Sequence, residues 1–154
     1  MGILNPDTLC QIALVVKDVE KVAAEYANLF GVPVPNLTCV PDEKIAHTQF
    51  RGTPSATKAK IAVFTLGQVV LEITQPDDEP SSWKEFLETH GEGVHHIAFM
   101  VPDREPIIQY FKGKGAPIRH YGEYPGGNYT VFDTQDLLKV LIQVKQKTKS
   151  SENS

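Results

Sequence analysis

Apolar and polar positions follow one pattern twice along this chain. In CQIALVVKDVEKVAAEYANLFGVPV, starting at Cys10, Ile12, Leu14 and Val16 alternate with Gln11, Ala13 and Val15 as in a strand. A helix-like segment, Val19–Phe30, follows Asp18, whose side chain can accept backbone N–H bonds at a helix start; Gly31 and Pro33 close it. HHIAFMVPDREPIIQYFKGKGAPI, starting at His95, matches with a single one-residue gap near Phe30. There Ile97, Phe99 and Val101 alternate with His96, Ala98 and Met100, Asp103 replaces Asp18, and Gly115 and Pro117 end the segment. A second match sets AVFTLGQVVLEITQ, from Ala62, over TVFDTQDLLKVLIQVKQ, from Thr130; each reads as two strands joined by a turn, longer in the second copy.

The chain therefore reads as α+β, two βαβββ modules in tandem. The first module has strand Gln11–Val16, helix Val19–Phe30, and strands Lys44–Phe50, Lys60–Leu66 and Gln68–Thr74. A linking helix over 82–89 starts where Ser82-x-x-Glu85 has the capping-box pattern. Strand His96–Val101, helix Pro106–Lys112 and strands near Ile118, Thr130 and Val140 complete the second module. These elements predict one domain over 1–145, with repeats at about 9–80 and 94–145 and a disordered tail over 146–154. Pro33–Pro41 and Pro125–Asn128 read as loops able to cover a cleft.

Composition narrows the class without changing this picture. The chain has 154 residues, 41% of them hydrophobic and 22% charged, enough to bury a core without metal or disulfide staples. A metal would serve function rather than folding. The net charge is −4, and the one basic cluster is Lys145, Lys147 and Lys149, so no nucleic-acid partner is expected. No apolar run approaches the ~20 residues that span a bilayer, and the start MGILNPDTL lacks signal-peptide order. A cytoplasmic protein is expected, away from membranes, with Cys10 and Cys39 as reduced packing residues.

Four polar positions interrupt the apolar strands. The repeat makes Gln11 equivalent to His96 and Glu72 equivalent to Gln143. The larger apolar sets should pack under the helices, leaving Gln11 with Ala13, and His96 with Ala98, on a concave face. Each polar residue read alone fits an edge or solvent-facing position. Four of them at two pairs of repeat-equivalent positions are harder to read that way, and amide oxygen, imidazole nitrogen and carboxylate are each competent ligands for a borderline or harder divalent ion.

These residues and their contexts resemble the vicinal oxygen chelate superfamily, which includes glyoxalase I, methylmalonyl-CoA epimerase, extradiol dioxygenases and bleomycin-resistance proteins. The resemblance covers roughly residues 9 to 145, and SSWKEFLETHGEGVHHIAFMV, from Ser81 to Val101, is most similar to the epimerases. It implies a sheet-lined cleft binding one divalent ion (Co, Ni, Mn, Zn or Mg), with Gln11, Glu72, His96 and Gln143 as ligands. His95 is expected on the opposite strand face, outside the ligand set. Gln143 departs from the family pattern, where a proton-transferring Glu is usual; an amide takes no proton near neutral pH.

In metal-dependent members the ion stabilises the enolate formed when a carbon next to a carbonyl loses its proton. Glu72 is the first candidate base, and His47, on the predicted strand IAHTQF with Ile45 and Gln49 on its cleft face, is the second. Glu43, Glu123 and Asp133 read as solvated acids, and Trp83 and Phe86 as the apolar side of their helix. Arg51, Lys58 and Lys60 fit either an anionic acyl-CoA or an ordinary surface. The resemblance thus implies a metal-dependent isomerase, epimerase or lyase, like methylmalonyl-CoA epimerase or lactoylglutathione lyase. Its small-molecule substrate would be a carbonyl or acyl-thioester compound, and the protein a homodimer. The alternative is a metal-free sequestering protein of the bleomycin-resistance kind.

Overall fold

The computed structural model describes residues 2–148. The first module begins with β1 (Leu9–Val15) and α1 (Val19–Phe30), then β2 (Thr38–Cys39), α2 (Glu43–Ala46), β3 (Gln49–Phe50), β4 (Thr53–Pro54), β5 (Lys60–Leu66) and β6 (Val69–Gln75). After α3 (Ser82–His90) the second module runs β7 (Gly93–Met100), α4 (Glu105–Gly113), β8 (Ile118–Tyr124), β9 (Gly127–Phe132), α5 (Gln135–Leu138) and β10 (Leu141–Lys147).

The ten strands form one curled mixed sheet in the order β2-β5-β6-β1-β7-β10-β9-β8-β3-β4. Its centre is the antiparallel pair β1–β7, flanked by parallel β6 on one side and parallel β10 on the other. The modules are thereby related by a local two-fold: Gln11 pairs with Ala98 and Ala13 with His96.

The outer face is covered as the periodicity predicts. Asp18 accepts the Lys21 N–H at 3.1 Å to start α1, and Gly31, at φ 66°, ends it in the left-handed conformation that glycine adopts at no steric cost. Val19, Ala23 and Ala27 of α1 pack with Ala62, Phe64, Leu71 and Ile73 of the sheet. Ile107 and Phe111 of α4 pack with Phe132, Ile142 and Val144 in the second module. On the inner face, Trp83 and Phe86 of α3 meet Val15, Val40, Ala46 and Ala59 and close one end of the concavity.

Several expected elements differ. Lys44–Phe50 is not a strand: its first half is the single turn α2, and only Gln49–Phe50 extends. The edge strand of the first module is instead β2, inside the expected loop Pro33–Pro41, paired with β5. The chain then crosses the mouth of the sheet, and β3 joins β8 of the other module. Short, weakly apolar pairing of this kind leaves no periodicity to read. The expected loop at Pro125–Asn128 is a tight turn, since β8 runs to Tyr124 and β9 begins at Gly127. The cap of α3 is Ser81, which accepts the Lys84 N–H at 3.0 Å, rather than Ser82. β10 continues to Lys147, into the stretch read as tail, and residues 149–154 of that stretch lie outside the described residues. Cys39 is exposed on β2 rather than packed.

Candidate active site

Strand register places the four polar residues around two alanines. Across β6, β1 and β7, Glu72 pairs with Ala13 and Ala13 with His96. One rung along, Gln11 on β1 pairs with Ala98 on β7, and Ala98 with Gln143 on β10. Paired residues share a sheet face, and neighbouring strands stand about 4.8 Å apart. The four long side chains therefore lean over two methyl groups, and Ala13 and Ala98, both buried, leave the gap between them.

A bulge shapes the β7 side. Leu14 pairs with Val94 while Ala13 pairs with His96, so His95 is the extra residue in the ladder. The bulge turns both histidines to the inner face, where their Nδ1 atoms lie 2.7 Å apart and His95 packs edge-on against Phe86. The expectation that His95 points to the opposite face is thus overturned, because strict alternation fails at a bulge.

The electrostatics follow from burial. His96 lies well below the ordinary imidazole range, through burial first and neighbouring His95 second, with Gln143 beside it offsetting this slightly. Burial also pushes His95 down to about 3. Both rings are neutral near pH 7. Half-buried Glu72 is raised above the ordinary carboxylate range, again by burial, against smaller opposing effects of Lys145 and Thr74. The Gln11 amide donates to Glu72, and the Thr74 hydroxyl donates to the other Glu72 oxygen at 3.0 Å.

Three buried side-chain atoms among the four residues have no hydrogen-bond partner: Gln11 Oε1, His96 Nε2 and Gln143 Oε1. An unmet buried polar atom costs roughly 1–3 kcal/mol, so three together beside a carboxylate call for a common donor or cation. Two amide oxygens, an imidazole nitrogen and a carboxylate suit a divalent ion chemically. Among the described residues no three His, Cys, Asp or Glu side chains gather at a metal-binding distance.

Above the floor opens a cavity of about 390 Å³, whose walls include Glu72, Trp83, Tyr129, Gln143 and Lys145. Among the described lining residues, Lys145 is the one cation. It sits two residues beyond Gln143 on the same strand face, with its ammonium 5.8 Å from the Tyr124 ring centre.

Comparison with known proteins gives this geometry a family. A profile described as the glyoxalase/bleomycin resistance protein/dioxygenase superfamily matches residues 10–132. The chain belongs to that superfamily. An ethylmalonyl-CoA/methylmalonyl-CoA epimerase of Cereibacter sphaeroides is 28% identical over 116 residues, 75% of this chain and 76% of that protein. An uncharacterized Bacillus subtilis protein, YqjC, is 28% identical over 92 residues, 60% of this chain but only 56% of its own length. A variant of Streptomyces coelicolor methylmalonyl-CoA epimerase in complex with 2-nitronate-propionyl-CoA superposes with a TM-score of 0.61 at 19% identity, covering 92% of this chain and 97% of that one.

Within this superfamily fold, the other residues singled out from sequence fall outside the four-residue floor, although Glu123 and Trp83 line the cavity above it. His47 does not lie on a cleft-facing strand; it caps the C-terminus of α2 at φ 45°, is exposed, and pairs with Glu123. It does not line the cavity. Glu123 is therefore paired rather than merely solvated, and Asp133 pairs with Arg119 and, at 3.6 Å, with Arg51. Arg51 also meets Glu85 at 2.7 Å, Lys58 meets Asp42, and Lys60 is exposed. Trp83 does more than cover its helix: it lines the cavity, and its buried indole N–H has no partner. Sequence reasoning missed Lys145 by grouping it with the terminal lysines, although period-two alternation from Gln143 would have placed it. It also missed Tyr129 and His120, which no motif marks.

Proposed function

We propose that this chain is a metal-assisted isomerase of the epimerase kind, which labilises the proton next to the carbonyl of an acyl-thioester. The observation that carries the reading is the ring of Glu72, His96, Gln11 and Gln143 around Ala13 and Ala98, with three of its buried polar atoms unpartnered. Gln11, Glu72, His96 and Gln143 would hold the ion. A divalent ion there would supply a Lewis acid for the negative charge developing on the thioester oxygen.

The remaining roles belong to the chain's own side chains. Glu72 is the base: it is the one carboxylate among the four residues, and Thr74 and Gln11 fix its orientation. Gln143 orients but takes no proton, so the module-two side lacks the second carboxylate of a symmetric two-base exchange. Lys145 offers a counter-charge to an anionic group of the substrate, such as a carboxylate. The likeness to proteins named as methylmalonyl-CoA epimerases favours methylmalonyl-CoA as the first substrate to try.

The test is proton exchange into methylmalonyl-CoA in heavy water with added Co²⁺ or Mn²⁺. The wild type should incorporate deuterium at the α-carbon, and Glu72→Gln should slow this by about 10²-fold or more. Exchange unaltered by that substitution would remove Glu72 as base. A metal-free binding protein is the second reading, favoured by the amide at Gln143; ligand binding indifferent to chelators would support it.

A further inference from the structure

A second polar chain runs through the cavity wall, apart from the ion's donor set. Ser82, buried at the start of α3, places its backbone N–H 3.2 Å and its hydroxyl 2.9 Å from Nδ1 of His120. A backbone amide only donates, so this nitrogen is the acceptor. Burial pushes His120 down to about 3, leaving the ring neutral near pH 7 with its single proton on Nε2. That Nε2 stands 3.3 Å from the Tyr129 hydroxyl and donates to its oxygen. The hydroxyl's own proton must therefore point away from His120.

The local fold builds this arrangement. A register shift in β8 between Ile118 and His120 brings His120 inward, against Trp83 at 4.5 Å between ring centres. Tyr129 pairs with Gly122 on one side and with Lys145 on the other, on the cavity face. A Cβ at Gly122 would collide with the Tyr129 hydroxyl, so the glycine makes room for it. A phenol's ordinary pKa of about 10 keeps the Tyr129 hydroxyl protonated near pH 7, and burial acts in the same direction.

We infer that Tyr129 is a further catalytic residue, a hydrogen-bond donor aimed into the cavity at the substrate oxygen that becomes negative, with Ser82 and His120 as positioning residues. This rests on the reading of the cleft as an enolising site. A donor fixed beforehand at the place where charge develops favours the transition state over the ground state without reorganisation. No proton need leave Tyr129: the hydroxyl shares it with the developing oxyanion while Glu72 takes the α-proton.

The experiment compares wild type with Tyr129→Phe, using 2-nitronate-propionyl-CoA as the anionic mimic and propionyl-CoA as the neutral control. Wild type should prefer the nitronate, and Tyr129→Phe should lose at least about 10-fold of that preference with propionyl-CoA binding unchanged. kcat for exchange should fall by about 10²-fold with KM little altered. Nitrogen-15 NMR of His120 should show the proton on Nε2. An equal nitronate preference in the two proteins, or a proton on Nδ1, overturns the inference whatever the activity. A Tyr129-dependent preference with the Nε2 proton, but no exchange of any acyl-CoA proton, upholds the donor and removes the epimerase reading instead.

Discussion

Glu72 and the buried histidines have opposite consequences for stability, and both signs can be worked out. Glu72 is raised on folding, so the native state favours its protonated form and is penalised as pH rises through the folded value. In chelator-treated protein at pH 7, Glu72→Gln should therefore raise the melting temperature, whereas with Co²⁺ or Mn²⁺ added it should slow exchange by about 10²-fold or more, a stability–activity opposition that calorimetry beside the heavy-water assay would detect. His95 and His120 are lowered to about 3, so between their ordinary value of about 6.5 and that point only the unfolded chain takes up their protons. Stability of the metal-free protein should thus decline as pH falls below about 6.5, by up to about 1.4 kcal/mol per pH unit for each histidine. Urea denaturation at several pH values checks this; a flat profile from pH 6.5 to 5 would contradict it. Much at this scale was legible beforehand: repeat equivalence alone brought Gln11, His96, Glu72 and Gln143 together. His95 and His47 were misplaced because alternation was extended through a bulge and over a stretch that forms a helical turn.

Among the elements, the four central strands contribute most, since their register sets Ala13 and Ala98 between the polar side chains. Ala98→Leu would put a larger side chain between Gln11 and Gln143. It should cost about 1–3 kcal/mol by overpacking and weaken ion binding at least 10-fold in a protein that still folds, measured by calorimetric titration and circular dichroism. The buried α3 residue Trp83 closes the inner core, and Trp83→Ala should destabilise by about 3–5 kcal/mol in chemical denaturation. Central strands and helices were readable because apolar periodicity and caps such as Asp18 act locally. β2, β3 and β4 were not, because two-residue strands carry no period and β3 is held by β8, far away in sequence.

At the scale of the whole molecule, duplication turns one half-site into a cleft. Each module supplies one of the four polar side chains from its first strand and one from its last, and neither module alone surrounds the gap. The tandem architecture was read from the repeat and the superfamily from the resemblance of segments such as Ser81–Val101; the choice of reaction follows from neither, because one amide at Gln143 separates the four-residue set from a two-carboxylate exchange. No helix among the described residues is long and apolar enough to cross a membrane. Calorimetric titration of chelator-treated protein with Co²⁺, Ni²⁺, Mn²⁺ and Zn²⁺ tests the central claim most directly. At least one of these ions should bind at one per chain, with binding lost in His96→Ala and weakened in Gln11→Ala. Failure of every ion to bind, or binding unchanged by His96→Ala, would contradict it.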